Sequence, residues 1–572
     1  MIVPRNYRLF FVWGATLAAG ILVGCAGSQP SSNSTEADAT GPVWFEDVTD
    51  QLGIMFSHDA GPLGSYLMPQ IVGSGCAACD LDGDNRPDLL FLTNGGPKSP
   101  STNKLYHQKP DGKFEDVSLG SGLDFPGYNM GVAIGDVNND GKPDVLITQY
   151  TGARLFLNRG GMKFHEITTQ AGIRNPLWGS SACFVDYNRD GLLDLVIVNY
   201  LDYDPSWDCT SPGGGKDFCA PKTFAGTCTK LFRNLGSQSD GQVRFEDVSL
   251  ESGLGRLPGP GLGVIAADFD GDGWPDLFIA NDGKPNHLWM NQRDGTFKEE
   301  ALSRGVAMTQ MGSAYAGMGI ATGSAANDGL LDLYVTHLTS ETNTFWKQGP
   351  RGAFQDQTAA WAPPARWRGT GFGTLMTDFD LDGFLDLAVV NGRVSKGEHH
   401  SAPGLAPFWE PYAERNQLFT NDGGKRFQDI SVQNTPFCGT YNVARGLACA
   451  DLDGDGAPDL VLTTIGGRAR VYRNVCPNRG HWLAVRVLDP KLNRDAHGAE
   501  ITVHVGTNRY LRVNNPAASY LSSNSTLAHF GIGAGTSFDR IEVRWPDGVW
   551  EVFAGGPADR LVELRKGSGQ KP

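Results

Sequence analysis

An aspartate-rich nonapeptide recurs along this chain of 572 residues, each copy set between two short apolar runs, and the last hundred residues abandon that rhythm for plain polar–apolar alternation. These two observations predict an all-β protein: a seven-bladed β-propeller at residues 43–475, then a small β-sandwich-like domain at residues 480–567.

The first copy reads DLDGDNRPDLLFLTN from Asp80 to Asn94. Its opening has the carboxylate spacing of an EF-hand, but an EF-hand needs a bidentate Glu at position twelve on an exiting helix. Here position twelve is Phe91, the fourth carboxylate comes at position nine as Asp88, and the run Leu89 to Thr93 reads as a buried strand. A metal loop inside a β-hairpin is the result.

Five further copies keep the whole donor set. They are Asp136, Asn138, Asp140 and Asp144; Asp186, Asn188, Asp190 and Asp194; Asp268, Asp270, Asp272 and Asp276; Asp378, Asp380, Asp382 and Asp386; and Asp451, Asp453, Asp455 and Asp459. They join Asp80, Asp82, Asp84 and Asp88 of the first. A seventh, SAANDGLLDLYV, retains Asp328, Gly329 and Asp332 but has Ser324 and Ala326 where two donors belong. Oxygen donors at alternating positions, a carbonyl at position seven and a carboxylate at position nine suit Ca2+, a hard ion that accepts irregular coordination. Gly at position six, or Asn85 in the first loop, permits the positive φ of the turn. Up to six structural calcium ions are expected, each holding together carboxylates that would otherwise repel. A solvated turn is the plain alternative for any single copy.

Around each loop the grammar repeats: a small-residue strand such as GVAIGD, the loop, a strand such as DVLITQ, a Leu-aromatic strand such as RLFLNRG, then a strand led by Phe45, Phe114, Phe164, Phe245, Phe297, Phe354 or Phe427. The strand at Phe45 precedes the first loop, and the last unit has no Phe-led strand of its own. The N-terminal strand is therefore expected to complete the last blade and close the ring without free edges.

At the N-terminus, Arg5 and Arg8, an apolar stretch too short to span a bilayer comfortably, and Leu22-Val23-Gly24-Cys25 have the organisation of a secretory signal with a lipobox. Cleavage would leave Cys25 acylated as the first mature residue on a Ser/Pro-containing tether, residues 25–42; an ordinary cleaved signal is the other reading. Lipid on Cys25 would hold an otherwise soluble protein at the bacterial envelope, on the outer membrane or cell surface. Removing Arg5 and Arg8 leaves 46 basic against 63 acidic residues, a net charge of −17, which argues against a nucleic-acid partner.

Nine cysteines then remain, and an exported chain can keep disulfides. Cys209, Cys219 and Cys228 in one insert, and Cys438 with Cys449, are the candidates for local bridges. Cys76-Ala-Ala-Cys79 lacks the βαβ setting of a redox dithiol and reads as structural. His399-His400 beside Glu398 on a loop is not assigned a metal.

Two long inserts, Tyr203 to Thr229 and Ser395 to Arg415, both follow second strands and so open away from the aspartate loops. Their aromatics Trp207, Phe218, Phe408, Trp409 and Tyr412 are candidates for stacking on a glycan or anchoring a cell-surface protein; packing beneath their own loops is the alternative.

These in-phase units resemble FG-GAP or VCBS repeats, the propeller repeats of integrin α-subunits and many bacterial surface proteins. Residues 493–500, 519–533 and Trp545-Pro546-Asp547-Gly548 resemble the ASPIC/UnbV domain, which follows such repeats in the cartilage acidic protein family and its bacterial relatives. The resemblance implies a calcium-binding extracellular propeller of adhesion or recognition type. No Gly-x-Ser-x-Gly, His-Glu-x-x-His or phosphate loop occurs. A binding or adhesion module is therefore favoured, with a polysaccharide lyase or hydrolase, or a scaffold for an envelope complex, as the alternatives.

Overall fold

The computed structural model describes residues 41–211, 213–239, 241–362 and 365–572. The signal segment, Cys25 and most of the tether lie outside the described residues.

Among the described residues the strands form nine four-stranded sheets, of which seven are antiparallel blades. Blade 1 comprises Cys76–Cys79, Asp88–Phe91, Lys104–Gln108 and Phe114–Asp116. Blades 2, 3, 4 and 6 occupy residues 129–166, 179–247, 261–299 and 371–429. Blade 5 comprises Ile320–Gly323, Asp332–Val335, Thr344–Gln348 and Phe354–Asp356. The innermost strand of each blade packs on those of its two neighbours, and blade 7 meets blade 1, so the ring is closed.

Closure uses the expected clasp. Phe45–Asp47 is the outer strand of blade 7, with Phe45 opposite Asn474 and Asp47 opposite Tyr472. Phe45 is wholly buried against Phe379 and Phe437. The edge that Arg470–Asn474 would otherwise expose is thereby paired.

A second closure was not read from the sequence. Each third strand carries an Asn or Gln, at its last residue in every blade but the third, where Asn234 lies within Lys230–Ser237, and its side-chain amide donates to the carbonyl of loop position two in the preceding blade. The pairs are Gln108 to Leu452, Asn158 to Leu81, Asn234 to Val137, Asn291 to Tyr187, Gln348 to Phe269, Asn421 to Ala325 and Asn474 to Phe379, at 2.5–3.0 Å. Seven buried amides thus stitch blade to blade around the whole ring, each worth about 1 kcal/mol made and more if left half-made.

The C-terminal domain is a sandwich of two sheets. In one, His481–Asp489 pairs with Arg494–Asp495, Ala528–Gly533 and, in parallel, Arg560–Arg565. In the other, Glu500–Val505 lies between Asn508–Val513 and Ser537–Arg544, which also pairs with Trp550–Pro557. Leu483, Val485, Ile501, Phe530, Ile541 and Trp545 fill the space between. The alternation read over Ser519 to Gly533 holds as a strand only for Ala528–Gly533.

The segment before it, residues 514–527, is a strap that enters the axis of the propeller. Ser519 exchanges backbone hydrogen bonds with Ile320, Val132 N donates to Leu521 O, and Ser523 pairs with Cys76 and Ala78. Tyr520 is fully buried, and its hydroxyl donates to Val72 O at 2.9 Å. Gly75 is required here, because a Cβ on it would collide with the Leu521 carbonyl. Burying Leu521 alone stabilises this seating by about 2 kcal/mol.

Of the candidate bridges, Cys209–Cys219 forms. Cys228, Cys438 and Cys449 are free. Cys438 packs in the apolar layer between blades 6 and 7, where the thiol is a small hydrophobe. Cys76 and Cys79 are buried on the inner strand of blade 1, and burial pushes the Cys76 thiol up to about 12. That is the setting of an inert, structural thiol.

Candidate metal centres and the two faces of the ring

Each aspartate loop is a preformed cradle. The first Asp accepts the backbone N–H of position six through Oδ2: Asp80 from Asn85, Asp136 from Gly141, Asp186 from Gly191, Asp268 from Gly273, Asp378 from Gly383 and Asp451 from Gly456, at 2.6–2.9 Å. Position six has positive φ in all of these, 64° at Asn85 and 100° at Gly383 being the extremes. The ninth-position Asp is buried and bridges two elements. Asp459, for example, accepts Leu452 N through Oδ2 at 2.9 Å and Asn474 N through Oδ1 at 2.7 Å. Asp88, Asp144, Asp194, Asp276 and Asp386 repeat the pattern.

These carboxylates are costly as they stand. Burial pushes Asp136, Asp186 and Asp451 up to about 6, and the ninth-position Asp144, Asp194, Asp276, Asp386 and Asp459 well above the usual carboxylate range. Oxygens of Asp80, Asp82 and Asp84 lie within 4.8 Å of one another, as do those of Asp268, Asp270 and Asp272, of Asp378, Asp380 and Asp386, and of Asp451, Asp453 and Asp459. Such a cluster can hold a metal ion, and an oxygen-only donor set of this charge fits a hard divalent cation.

Blade 5 supplies the contrast. Ser324 Oγ takes over the turn, accepting Gly329 N at 3.0 Å, and Ala326 contributes no donor. The two carboxylates that remain, Asp328 and Asp332, are met by Lys347 Nζ at 2.8 and 2.9 Å. An ammonium of this chain therefore lies between the carboxylates of the one loop that lost its donor set. In blade 1 the equivalent strand position is His107, whose Nδ1 lies 3.0 Å from Asp88 and 3.5 Å from Asp82.

The loop face is covered. The C-terminal domain touches all seven loops: Arg486 donates to Asn85, Arg494 to Asn139 and Gly191 O, and Arg544 pairs with Asp268 at 2.7 Å. Arg509 lies against Gly329, Gly480 N and Gly533 N donate to Asp380 O and Leu381 O, and His529 Nε2 lies 2.6 Å from Gly456 O, while Arg479, just before the domain, pairs with Asp455.

On the opposite face the two inserts meet across the axis. Phe218 stacks on Trp409 at 6.2 Å, Tyr412 Oη donates to Asp217 at 2.6 Å, and Lys396 N donates to the same carboxylate at 3.0 Å. This corrects the expectation of an exposed aromatic surface. Phe218, Trp409 and Tyr412 are buried and Phe408 is partly buried, all packed with Tyr520 in one axial core. Of the five candidates only Trp207, 57% exposed, stands in solvent. His399 is exposed, and His400 stacks on Tyr441 at 4.0 Å. A groove of about 380 Å3 between blades 5 and 6, on this same side, is lined by Tyr315, Tyr334, Glu341, Asn343, Trp367 and Gln417. Tyr334 and Gln417 come from strands and the other four from connections between strands, and none of them gave a signal in the sequence.

Comparison with known proteins agrees with this architecture. The FG-GAP-like repeat model matches residues 80–147, 136–197, 268–335 and 408–462, and the ASPIC and UnbV model matches residues 489–571. Cartilage acidic protein 1 of Xenopus tropicalis is 26% identical over 333 residues, covering 56% of this chain and 46% of that protein; the Homo sapiens protein is 25% identical over 334 residues, covering 57% and 47%. The chain thus spans about half the length of these relatives. Among solved structures, an Agrocybe aegerita lectin that recognises non-reducing terminal N-acetylglucosamine aligns over 68% of this chain and 85% of its own at 13% identity. Its TM-score of 0.35 is too low to argue from. Repeats, C-terminal domain and sequence kinship together make this chain an FG-GAP-repeat propeller with a C-terminal ASPIC and UnbV domain, homologous to cartilage acidic protein 1.

Proposed function

We propose that the protein is a calcium-stabilised recognition module of the bacterial envelope, held by lipid on Cys25, which binds a glycan or a cell-surface protein on the face away from its aspartate loops. The observation that carries the reading is that the C-terminal domain lies on every loop, so a large ligand has the opposite face to approach. There Trp207 and the Tyr315–Trp367 groove offer ring faces beside Glu341, Asn343 and Gln417, a combination suited to the apolar face and hydroxyls of a sugar. Six calcium ions, held by the residues of the six complete loops, would supply ring stability and no reaction chemistry.

A glycan panel probed with the full chain in calcium, scored for both retention and cleavage, tests the reading. Retention without product, reduced about tenfold or more by Tyr315→Ala, agrees with it. Release of cleaved product makes the protein a carbohydrate-active enzyme instead, and retention unchanged by both Tyr315→Ala and Trp207→Ala removes this face from consideration.

A further inference from the structure

Between the loop face and the C-terminal domain lies a cavity of about 390 Å3, within the range of sites that enclose drug-sized molecules and at the domain boundary where such sites concentrate. Its floor is the ends of the inner strands of blades 4 to 7, with Leu375, Met376 and Leu385. Its roof is the C-terminal domain, with Trp482, Leu511 and Val513. Its rim includes Asn85, Gly454 and Leu561, all exposed.

Of the polar side chains on this wall, Thr322, Asn515 and Asn524 are engaged with backbone, and three others each keep an unpartnered atom. Arg512 Nε donates to His529 O at 3.1 Å and Nη1 to Leu511 O at 2.9 Å, while Nη2 is buried without a partner. Asn514 is 2% exposed; its Nδ2 donates to Ala496 O and its Oδ1 has no partner. His529 Nε2 lies 2.6 Å from Gly456 O, which leaves Nδ1 as an unpartnered acceptor. Buried polar atoms are ordinarily satisfied, so three orphans on one cavity wall mark groups that await something. The bordering carboxylates make no hydrogen bond to Nη2, although Asp378 is near enough to act on the Arg512 charge: Asp378 accepts Asp382 N and Gly383 N, and Asp451 accepts Gly454 N and Gly456 N.

We propose that this cavity is a binding site for a small apolar organic anion, whose acidic group is met by Arg512 Nη2 and whose body lies among Trp482, Leu375, Met376 and Leu511. A guanidinium N–H held in place by two fixed carbonyls is a directional donor to a carboxylate or sulfonate. The site borders the metal loops through Asp378 and Asp451 and lies away from the exposed ligand face, and it would couple occupancy to the seating of the C-terminal domain.

The test uses two fluorescent probes with the same apolar body, 1-anilinonaphthalene-8-sulfonate and neutral N-phenyl-1-naphthylamine, titrated into the full chain in calcium. The site predicts one sulfonate probe per chain, bound about tenfold or more tightly than the neutral one. Arg512→Gln should bring the two within about twofold. Ala484 faces the cavity because its neighbours Leu483 and Val485 face the sandwich core, so Ala484→Phe should abolish both. Equal affinity for the two probes in the unaltered protein, or sulfonate binding that survives Ala484→Phe, overturns the proposal. These two measurements decide it even if Arg512→Gln does not fold.

Discussion

The loop of blade 5 and the six loops of the other blades share a backbone and differ in how they handle charge. All seven make the same turn, with a side-chain oxygen accepting the position-six N–H, and all seven use the ninth-position Asp to join the loop to the third strand. In six, four Asp or Asn side chains line the turn; in blade 5 only two carboxylates remain, both close on Lys347 Nζ, and burial still pushes Asp332 up to about 6. The turn therefore depends on hydrogen bonds common to every blade. Cationic side chains also reach several complete loops, as Arg544 reaches Asp268 and Arg479 reaches Asp455, so what sets the six apart is their full set of oxygen donors, the set a hard divalent cation would use.

The largest expected effect separates the two kinds directly. At free calcium a hundredfold above Kd, each filled site adds about 2.7 kcal/mol, so chelation should lower the melting temperature of the full chain by more than about 10 °C. A melt that chelator does not move would make the aspartate loops hydrogen-bonded turns like that of blade 5. Next, Lys347→Met leaves Asp332, whose side chain is wholly buried, without its counter-charge. A loss of about 3 kcal/mol is expected, read by denaturant unfolding, and calcium should not restore it. Full rescue by calcium would show that the Lys347 position can take an ion after all. Smallest is Asn291→Ala, which strips the amide that reaches Tyr187 O and Pro275 O and should cost about 1–3 kcal/mol with or without calcium. A larger loss in chelator than in calcium would tie the amide ring to metal binding.

Much of this was legible in the sequence because it is local and repeated. The nonapeptide, the four-strand grammar and the unpaired strand at Phe45 fixed the blades, their number and the clasp. What escaped depends on partners hundreds of residues apart. Tyr520 looks like part of an alternating strand, yet its place is set by Val72 and Ile320 in other domains of the sequence. Phe218 and Trp409 looked like surface rings on two separate inserts, and only the closure of the ring brings them face to face. The Asn or Gln of each third strand was present in every unit, but its meaning lies in the neighbouring blade. Lys347 was one lysine among many until the paired strands brought it onto Asp328 and Asp332. Cys438 and Cys449 are near in sequence but lie on separate elements, and both stay free.

The count of calcium ions bound per chain, by equilibrium dialysis of the full protein, tests the central claim most directly. Six ions are predicted, one for each complete loop and none for blade 5. A count of seven, or one that leaves the aspartate-rich loops empty, contradicts the account.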